Sequence, residues 1–169
     1  VARAARRIRE SAQAGAHTVK VQSYSLDALN PADPQAEWLK QSWLSEAALR
    51  ELFDVSTHAG VRFLVTPFDS KALQAVYDIG LRRIKIASSA GLASWWQWLS
   101  DESIQWIVSY PWGTSRSTGP PQTRVTAIPL YPTPLECVGQ ATLLDGWSDH
   151  TEGLDACLWA IAQGVKVLE

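Results

Sequence analysis

Short β-branched runs alternate with helical apolar patterns along almost the whole chain, and this alternation restricts the fold more than any single motif. The runs lie near residues 18–23, 62–66, 83–88, 105–109, 124–130, 143–147 and 165–169. Between them the apolar spacing turns helical. Ala5, Ile8 and Ala12 share one helical face over 2–14, and Gly15 is placed to end that helix. Ser45 is the candidate cap of a helix carrying Leu49, Leu52, Phe53 and Val55, which Gly60 stops. Asp69 or Ser70 caps a helix over 71–79, a further helix spans 92–99, and a short one is expected over 134–140. Leu154, Leu158 and Ile161 give the last helix its pattern. The stretch 27–42, with two prolines, reads as a long loop. Residues 110–123 are rich in Pro, Gly, Ser and Thr where a crossover helix is due.

Strands and helices in regular alternation predict an α/β protein with parallel strands and right-handed crossovers. Seven strands that start after a helix fit a (β/α)8 TIM-type barrel lacking its first strand, shortened after 110. A doubly wound sheet is the alternative, but no Gly-x-Gly-x-x-Gly follows any strand. With 169 residues the chain is expected to form a single, incomplete barrel domain. The net charge of −2 gives no field to favour nucleic acid, and no apolar run approaches the roughly 18 residues of a membrane span. The N-terminus lacks the apolar core of a secretory signal. Cys137 and Cys157 read as reduced thiols of a cytoplasmic protein. The nine tryptophans read mostly as packing residues.

Polar residues recur where the strands end, which in β/α proteins is where chemistry collects. Lys20 and Gln22 alternate with valines, so period two puts both on one face. They face either a sheet interior or solvent on an edge strand. Thr66, Ser88 and Ser109 close three strands, Lys85 sits between isoleucines, and Tyr131 follows a fourth strand. The densest group is Gly146-Trp-Ser-Asp-His-Thr-Glu-Gly153, a hydroxyl, a carboxylate and an imidazole at a strand-to-helix junction. By spacing alone His150 reads more readily as a capping or hydrogen-bonded histidine near a helix start than as a ligand. Asp149 either orients it or caps the helix. His17 and His58 have no partner in sequence and read as surface or packing residues.

Taken together, Val19-Lys-Val-Gln22, Thr66-Pro-Phe-Asp69, Lys85-Ile-Ala-Ser88, Tyr131-Pro-Thr-Pro134, Trp147-Ser-Asp-His-Thr-Glu-Gly153 and Leu168-Glu169 resemble the sialic acid synthase (N-acetylneuraminate synthase) family, in family order. The resemblance implies a barrel transferase of carbohydrate biosynthesis that condenses phosphoenolpyruvate with an N-acylated sugar aldehyde such as N-acetylmannosamine. It implies Lys20, Lys85, Thr66, Ser88, Ser109 and Ser148 as the phosphoenolpyruvate cradle, with lysine charges and hydroxyl donors for an anionic ligand. It implies Gln22, Phe68 and Tyr131 as sugar contacts. His150 becomes a ligand of a divalent metal, manganese or magnesium. A homodimer is the oligomer it suggests, with no nucleic acid or membrane partner. The chain departs from the family pattern in several places. Its first-strand glutamate and its second metal histidine have no counterpart here. A family glutamate is replaced by Ala90, an asparagine by Pro129, and a Ser-Thr-Gly by Ser109-Tyr110-Pro111. No C-terminal antifreeze-like domain is expected. The alternative is a non-catalytic or decayed relative that retains only an anion-binding barrel.

Overall fold

The computed structural model of the chain describes residues 1–90, 95–113 and 123–169. They fall into two compact units, Val1–Ile84 and Lys85–Glu169. In both, the paired strands run parallel, as the alternation predicts, and helices precede or separate strands in each.

The first unit contains α1 (Ala2–Gln13), β1 (Thr18–Ser23), α2 (Ala36–Ser42), α3 (Glu46–His58), β2 (Arg62–Pro67) and α4 (Ser70–Asp78), and β3 (Arg83–Ile86) begins in it. β1 pairs with β2 from Thr18 opposite Arg62 to Ser23 opposite Pro67, and Val65 of β2 lies opposite Ile84. One face of the strands packs on helices: Phe63 meets Phe53 of α3 with ring centroids 6.2 Å apart. Leu49, Leu52, Val65, Leu73, Val76 and Ile84 are essentially removed from water. The side chains of Lys20, Gln22, Leu64 and Thr66 alternate onto the other face. Both caps form as expected: the Ser45 hydroxyl accepts from the Ala48 N–H, and the Asp69 carboxylate from the Ala72 N–H. Gly60, at φ 74°, takes the left-handed turn that lets α3 pass into β2.

The second unit contains α5 (Trp96–Leu99), β4 (Gln105–Pro111), β5 (Thr123–Ala127), α6 (Leu135–Val138), β6 (Gly146–Ser148), α7 (Asp155–Ala162) and β7 (Val167–Leu168). Val125, Gly146 and Val167 form one row across β5, β6 and β7, and Thr126, Trp147 and Leu168 line up through β6 in the next. Trp147 belongs to the helix-facing row. It is fully buried with Ile128, Val138, Ala156 and Ala160, and meets the Trp159 ring edge-on at 5.9 Å. Alternation therefore turns Ser109, Ser148 and Glu169 to the opposite face. Arg124 and Asp145 form a two-pronged ion pair at the start of β5, with Nε to Oδ2 at 3.0 Å and Nη2 to Oδ1 at 3.2 Å.

Several expectations change. The 27–42 stretch is not all loop. A single 3-10 turn at Leu26–Ala28 and the helix α2 occupy most of it, because its prolines precede residue 36 and leave the rest free to coil. β5 stops at Ala127, since Pro129 has no N–H to continue a ladder. The 134–140 helix shrinks to the single turn of α6. The 92–99 helix is described only from Trp96, and residues 114–122 of the Pro- and Gly-rich stretch lie outside the described residues. On α7 the small residues Ala156 and Ala160 face the core, while Leu154, Leu158 and Ile161 are 70%, 61% and 54% exposed. Trp147 and Trp159 fill the space under α7, so only alanine fits directly against the strand. Among the described residues no helix is long and apolar enough to cross a membrane.

Gly146 sits where three side chains would compete for one space. A Cβ there would lie 2.6 Å from the Val167 carbonyl oxygen and 2.8 Å from the Val125 Cγ1. Backbone cannot yield as a side-chain tip can. Gly146→Ala should therefore cost about 1–3 kcal/mol of stability, read from the midpoint of chemical denaturation. A stability equal to wild type would show that β6 and β7 do not approach this closely.

Candidate functional site

In the first unit, hydrogen bonds bolt the ends of β1 and β2 to the segment above them. Asp69 Oδ2 accepts from the Ser25 N–H at 2.7 Å, and Oδ1 accepts from the Ser25 hydroxyl and the Ala72 N–H, both at 2.8 Å. Burial pushes the Asp69 pKa up, but these bonds outweigh it and hold the carboxyl below its ordinary range. The Tyr24 hydroxyl donates to the Leu39 carbonyl at 2.7 Å, and the Trp43 indole N–H to the Tyr24 carbonyl at 3.0 Å. Between these ties lies a cavity of about 220 Å³, lined by Gln22, Tyr24, Ala28, Leu29, Leu39, Phe68 and Asp69. It is smaller than the roughly 300–1,000 Å³ of a whole-ligand pocket, so it suits one substituent. Asp69 and Tyr24 are already committed, which leaves the Gln22 carboxamide as its uncommitted polar group. Lys20 is exposed on the face it shares with Gln22. Thr66 is 1% exposed, and its hydroxyl has no hydrogen-bond partner.

In the second unit, Lys85 is 5% exposed, and its Nζ lies 2.8 Å from Oε2 of Glu169. The Glu169 backbone is held on both sides, by its N–H to the Trp147 carbonyl at 3.0 Å and by its carbonyl from the Asp149 N–H at 2.8 Å. Ser109 and Ser148 are each 2% exposed, and the Ser109 hydroxyl has no partner. Ser88 opens a 3-10 turn just past β3 and is half-buried.

The His150 ring has a defined tautomer. Its Nδ1 lies 2.7 Å from the Ile128 carbonyl, which can only accept, so Nδ1 carries the proton and Nε2 a lone pair. The Tyr131 hydroxyl lies 2.9 Å from Nε2 and donates to it. The two rings are stacked with centroids 4.0 Å apart, and the Ser148 hydroxyl is 3.5 Å from the same nitrogen. Although most of the Tyr131 side chain is exposed, partial desolvation of its hydroxyl, and then the nearby Glu169 charge, raise its pKa, which keeps the phenol protonated for that bond. The His150 backbone carbonyl accepts from the Thr133 N–H at 2.7 Å, which binds the Tyr131–Pro134 turn to the strand end. Asp149 neither contacts His150 nor caps α7. It accepts from the Thr151 N–H at 2.9 Å and from the Cys157 thiol at 3.0 Å. Burial and then this bond push the thiol up to about 11, so Cys157 is a neutral donor rather than a nucleophile. Cys137 is also a free thiol. His17 and His58 are exposed, as expected.

A Nε2 lone pair held by a carbonyl on Nδ1 is the tautomer a metal ligand requires. The rest of a donor set is missing. Among the described residues no group of three or more His, Cys, Asp or Glu could hold a metal ion. One imidazole does not hold a divalent cation, so the described residues do not fit a resident metal by themselves.

The arrangement defines a class: parallel α/β units that each carry polar groups toward the carboxyl ends of their strands, with Thr66 in the first and Ser109 in the second among the buried hydroxyls without partners. The chain belongs to the NeuB family, whose sequence model matches residues 7–93. Its fold is similar to that of the N-acetylneuraminic acid (sialic acid) synthetase of Leptospira borgpetersenii serovar Hardjo-bovis, solved in complex with citrate. The TM-score is 0.79 and the identity 24%, over 98% of this chain and 66% of that one. It is also similar to a Chromobacterium violaceum protein ascribed to spore coat polysaccharide biosynthesis, at TM-score 0.75 and 22% identity over 99% of this chain and 59% of that one. The Bacillus subtilis spore coat polysaccharide biosynthesis protein spsE gives 0.68 and 24%, over 98% of this chain and 54% of that one. The chain thus spans less than two thirds of the length of each. No curated protein sequence matches it.

Two parts of this geometry had only a partial signal in the sequence. Asp69 reads there as a cap alone, and its second role needs Ser25, 44 residues away. Glu169 reads as a piece of a family pattern, and only the fold pairs it with Lys85. The Ile128 carbonyl that sets the His150 tautomer has no sequence signal, because every residue carries a carbonyl.

A depressed carboxyl pKa adds stability that is complete above the unfolded value near pH 4 and is lost as pH falls through the folded value. Asp69→Ala should therefore destabilise the protein by about 1–3 kcal/mol at neutral pH and flatten the loss of stability as pH falls below the ordinary carboxylate range, near pH 4. Denaturation midpoints across that range measure both effects. An unchanged acid slope would remove Asp69 from the tie.

Proposed function

We propose that the protein is a sialic-acid-synthase-type transferase of carbohydrate biosynthesis, built on a (β/α)8 barrel of which the seven strands form a part. Its substrates would be phosphoenolpyruvate and an N-acylated sugar aldehyde of the N-acetylmannosamine kind. The observation that carries the reading is the pair of buried hydroxyls without partners, Thr66 next to the end of β2 and Ser109 two residues before the end of β4. Leaving such a group unsatisfied costs about 1–3 kcal/mol, a cost that a hydrogen-bonding ligand would remove. NeuB membership supports the same class.

In the proposed reaction, carbon 3 of the enol attacks the aldehyde carbon, water adds at carbon 2, and phosphate leaves with cleavage of its C–O bond. Lys85 would supply positive charge to the anion, and Ser88, Ser109 and Ser148 would supply hydroxyls. In the first unit, Lys20 and Thr66 would act in the same sense. The Gln22 carboxamide beside the apolar walls of Phe68, Leu29 and Leu39 suits a short acyl amide, whose polar atoms it pairs while the walls take the acyl carbons. Tyr131 would contact the sugar from an exposed position and orient His150. A manganese or magnesium ion, which the family resemblance suggests, would take the Nε2 of His150 and need donors beyond the described residues. The proposed setting is the cytoplasm, with a homodimer as the assembly.

A second reading is a non-catalytic relative that keeps the anion site and has lost the chemistry. Ala90 and Pro129 favour it, because both replace polar residues of the family pattern inside the chain.

Two measurements separate the readings. Phosphoenolpyruvate should raise the thermal midpoint of the wild type and of His58→Ala but not of Lys85→Ala. Equal protection of Lys85→Ala would remove Lys85 from the anion site. Phosphate release from phosphoenolpyruvate, assayed with manganese, should require N-acetylmannosamine. Absence of release from folded protein that still binds phosphoenolpyruvate would establish the non-catalytic reading.

A further inference from the structure

Lys85 and Glu169 form a deeply buried ion pair, with the lysine side chain 6% and the carboxylate 20% exposed. Both belong to the second unit. The pair poses a problem for the function just proposed. A lysine already neutralised at 2.8 Å by a carboxylate is not ready to receive an anionic ligand.

We propose that the Glu169 carboxylate occupies, in the ligand-free protein, the place of a ligand oxyanion at Lys85, and that an incoming phosphate or carboxylate group displaces it. The inference deepens the synthase reading and rests on it for the identity of the anion. Three features support it. A buried ammonium needs a counter-ion at all times, and a mobile ligand cannot supply one between turnovers. Glu169 follows the end of β7, where its backbone is pinned by Trp147 and Asp149 while its side chain reaches the lysine from the strand end. On the same face, the Ser109 hydroxyl is buried without a partner and the Ser148 hydroxyl is nearly as enclosed. Together the three groups offer an oxyanion one cation and two hydroxyls, and the Ser109 hydroxyl remains without a partner while Glu169 holds the lysine. Glu169 is also close enough for its charge to act on the Tyr131 phenol at the same strand end.

Exchange of one anion for another predicts competition. Glu169→Gln removes the internal competitor and leaves Lys85 without its carboxylate. Inorganic phosphate, or pyruvate as the carboxylate probe, should then bind at least tenfold more tightly than to wild type by isothermal titration. Thermal unfolding of Glu169→Gln should shift upward with phosphate far more than wild type does. The larger gain, with phosphate or with pyruvate, identifies which end of phosphoenolpyruvate faces Lys85. The double variant Lys85→Met, Glu169→Gln removes both charges of the pair. It should fold without added anion and bind neither probe.

Equal affinities in wild type and Glu169→Gln would overturn the proposal. So would binding by the double variant as tight as by Glu169→Gln. If Glu169→Gln is unfolded in plain buffer, phosphate should restore the fold, and failure to do so at any concentration while the double variant folds would count against the exchange. Probe binding and the synthase reading fail separately. A protein that exchanges phosphate for Glu169 but never releases it from phosphoenolpyruvate keeps this inference and loses that reading.

Discussion

The contact between Lys85 and Glu169 sets the form of the second unit. Neighbouring strands lie about 4.8 Å apart, so a lysine on β3 and the residue after β7 would be roughly 19 Å apart on a flat sheet. That is more than the two side chains span together. Their 2.8 Å contact therefore requires the strands of this unit to curve, with the pair on the concave face. Curvature also explains Gly146. On the inside of a curved sheet the rows crowd, and the row Val125–Gly146–Val167 has no room for a third side chain.

The same face rule assigns the polar groups. Period two sends Trp147 to the helices and Ser148 to the opposite side, so adjacent residues of one three-residue strand do unlike work. Trp147 anchors α7 through Trp159, and Ser148 and His150 stand at the open end of the strand. The α7 register follows from this packing. The indoles take the volume, alanines 156 and 160 take the contact, and the larger apolar residues turn outward.

Backbone carbonyls and carboxylates hold the loops above the strands. Ile128 sets the tautomer of His150, His150 returns a carbonyl to Thr133, and Asp149 takes the Cys157 thiol. In the first unit Asp69 does comparable work for Ser25 and α4. Such loops are ordered by short-range hydrogen bonding rather than by apolar burial, which leaves their outer side chains, Tyr131 and Phe68, exposed and able to meet a ligand.

The strands, their parallel order and most helix starts were legible in the sequence because they depend on local periodicity and on caps such as Ser45 and Asp69. The polar residues at strand ends were legible for the same reason, since period two alone places Lys20 beside Gln22 on one face. The sequence could not supply what depends on residues far apart in the chain. It gave no sign that Lys85 is already paired 84 residues away, that Ile128 chooses the proton position on His150, or that α7 hides its alanines. Periodicity states which side a residue faces. Only packing and charge neutralisation in three dimensions state what it meets there.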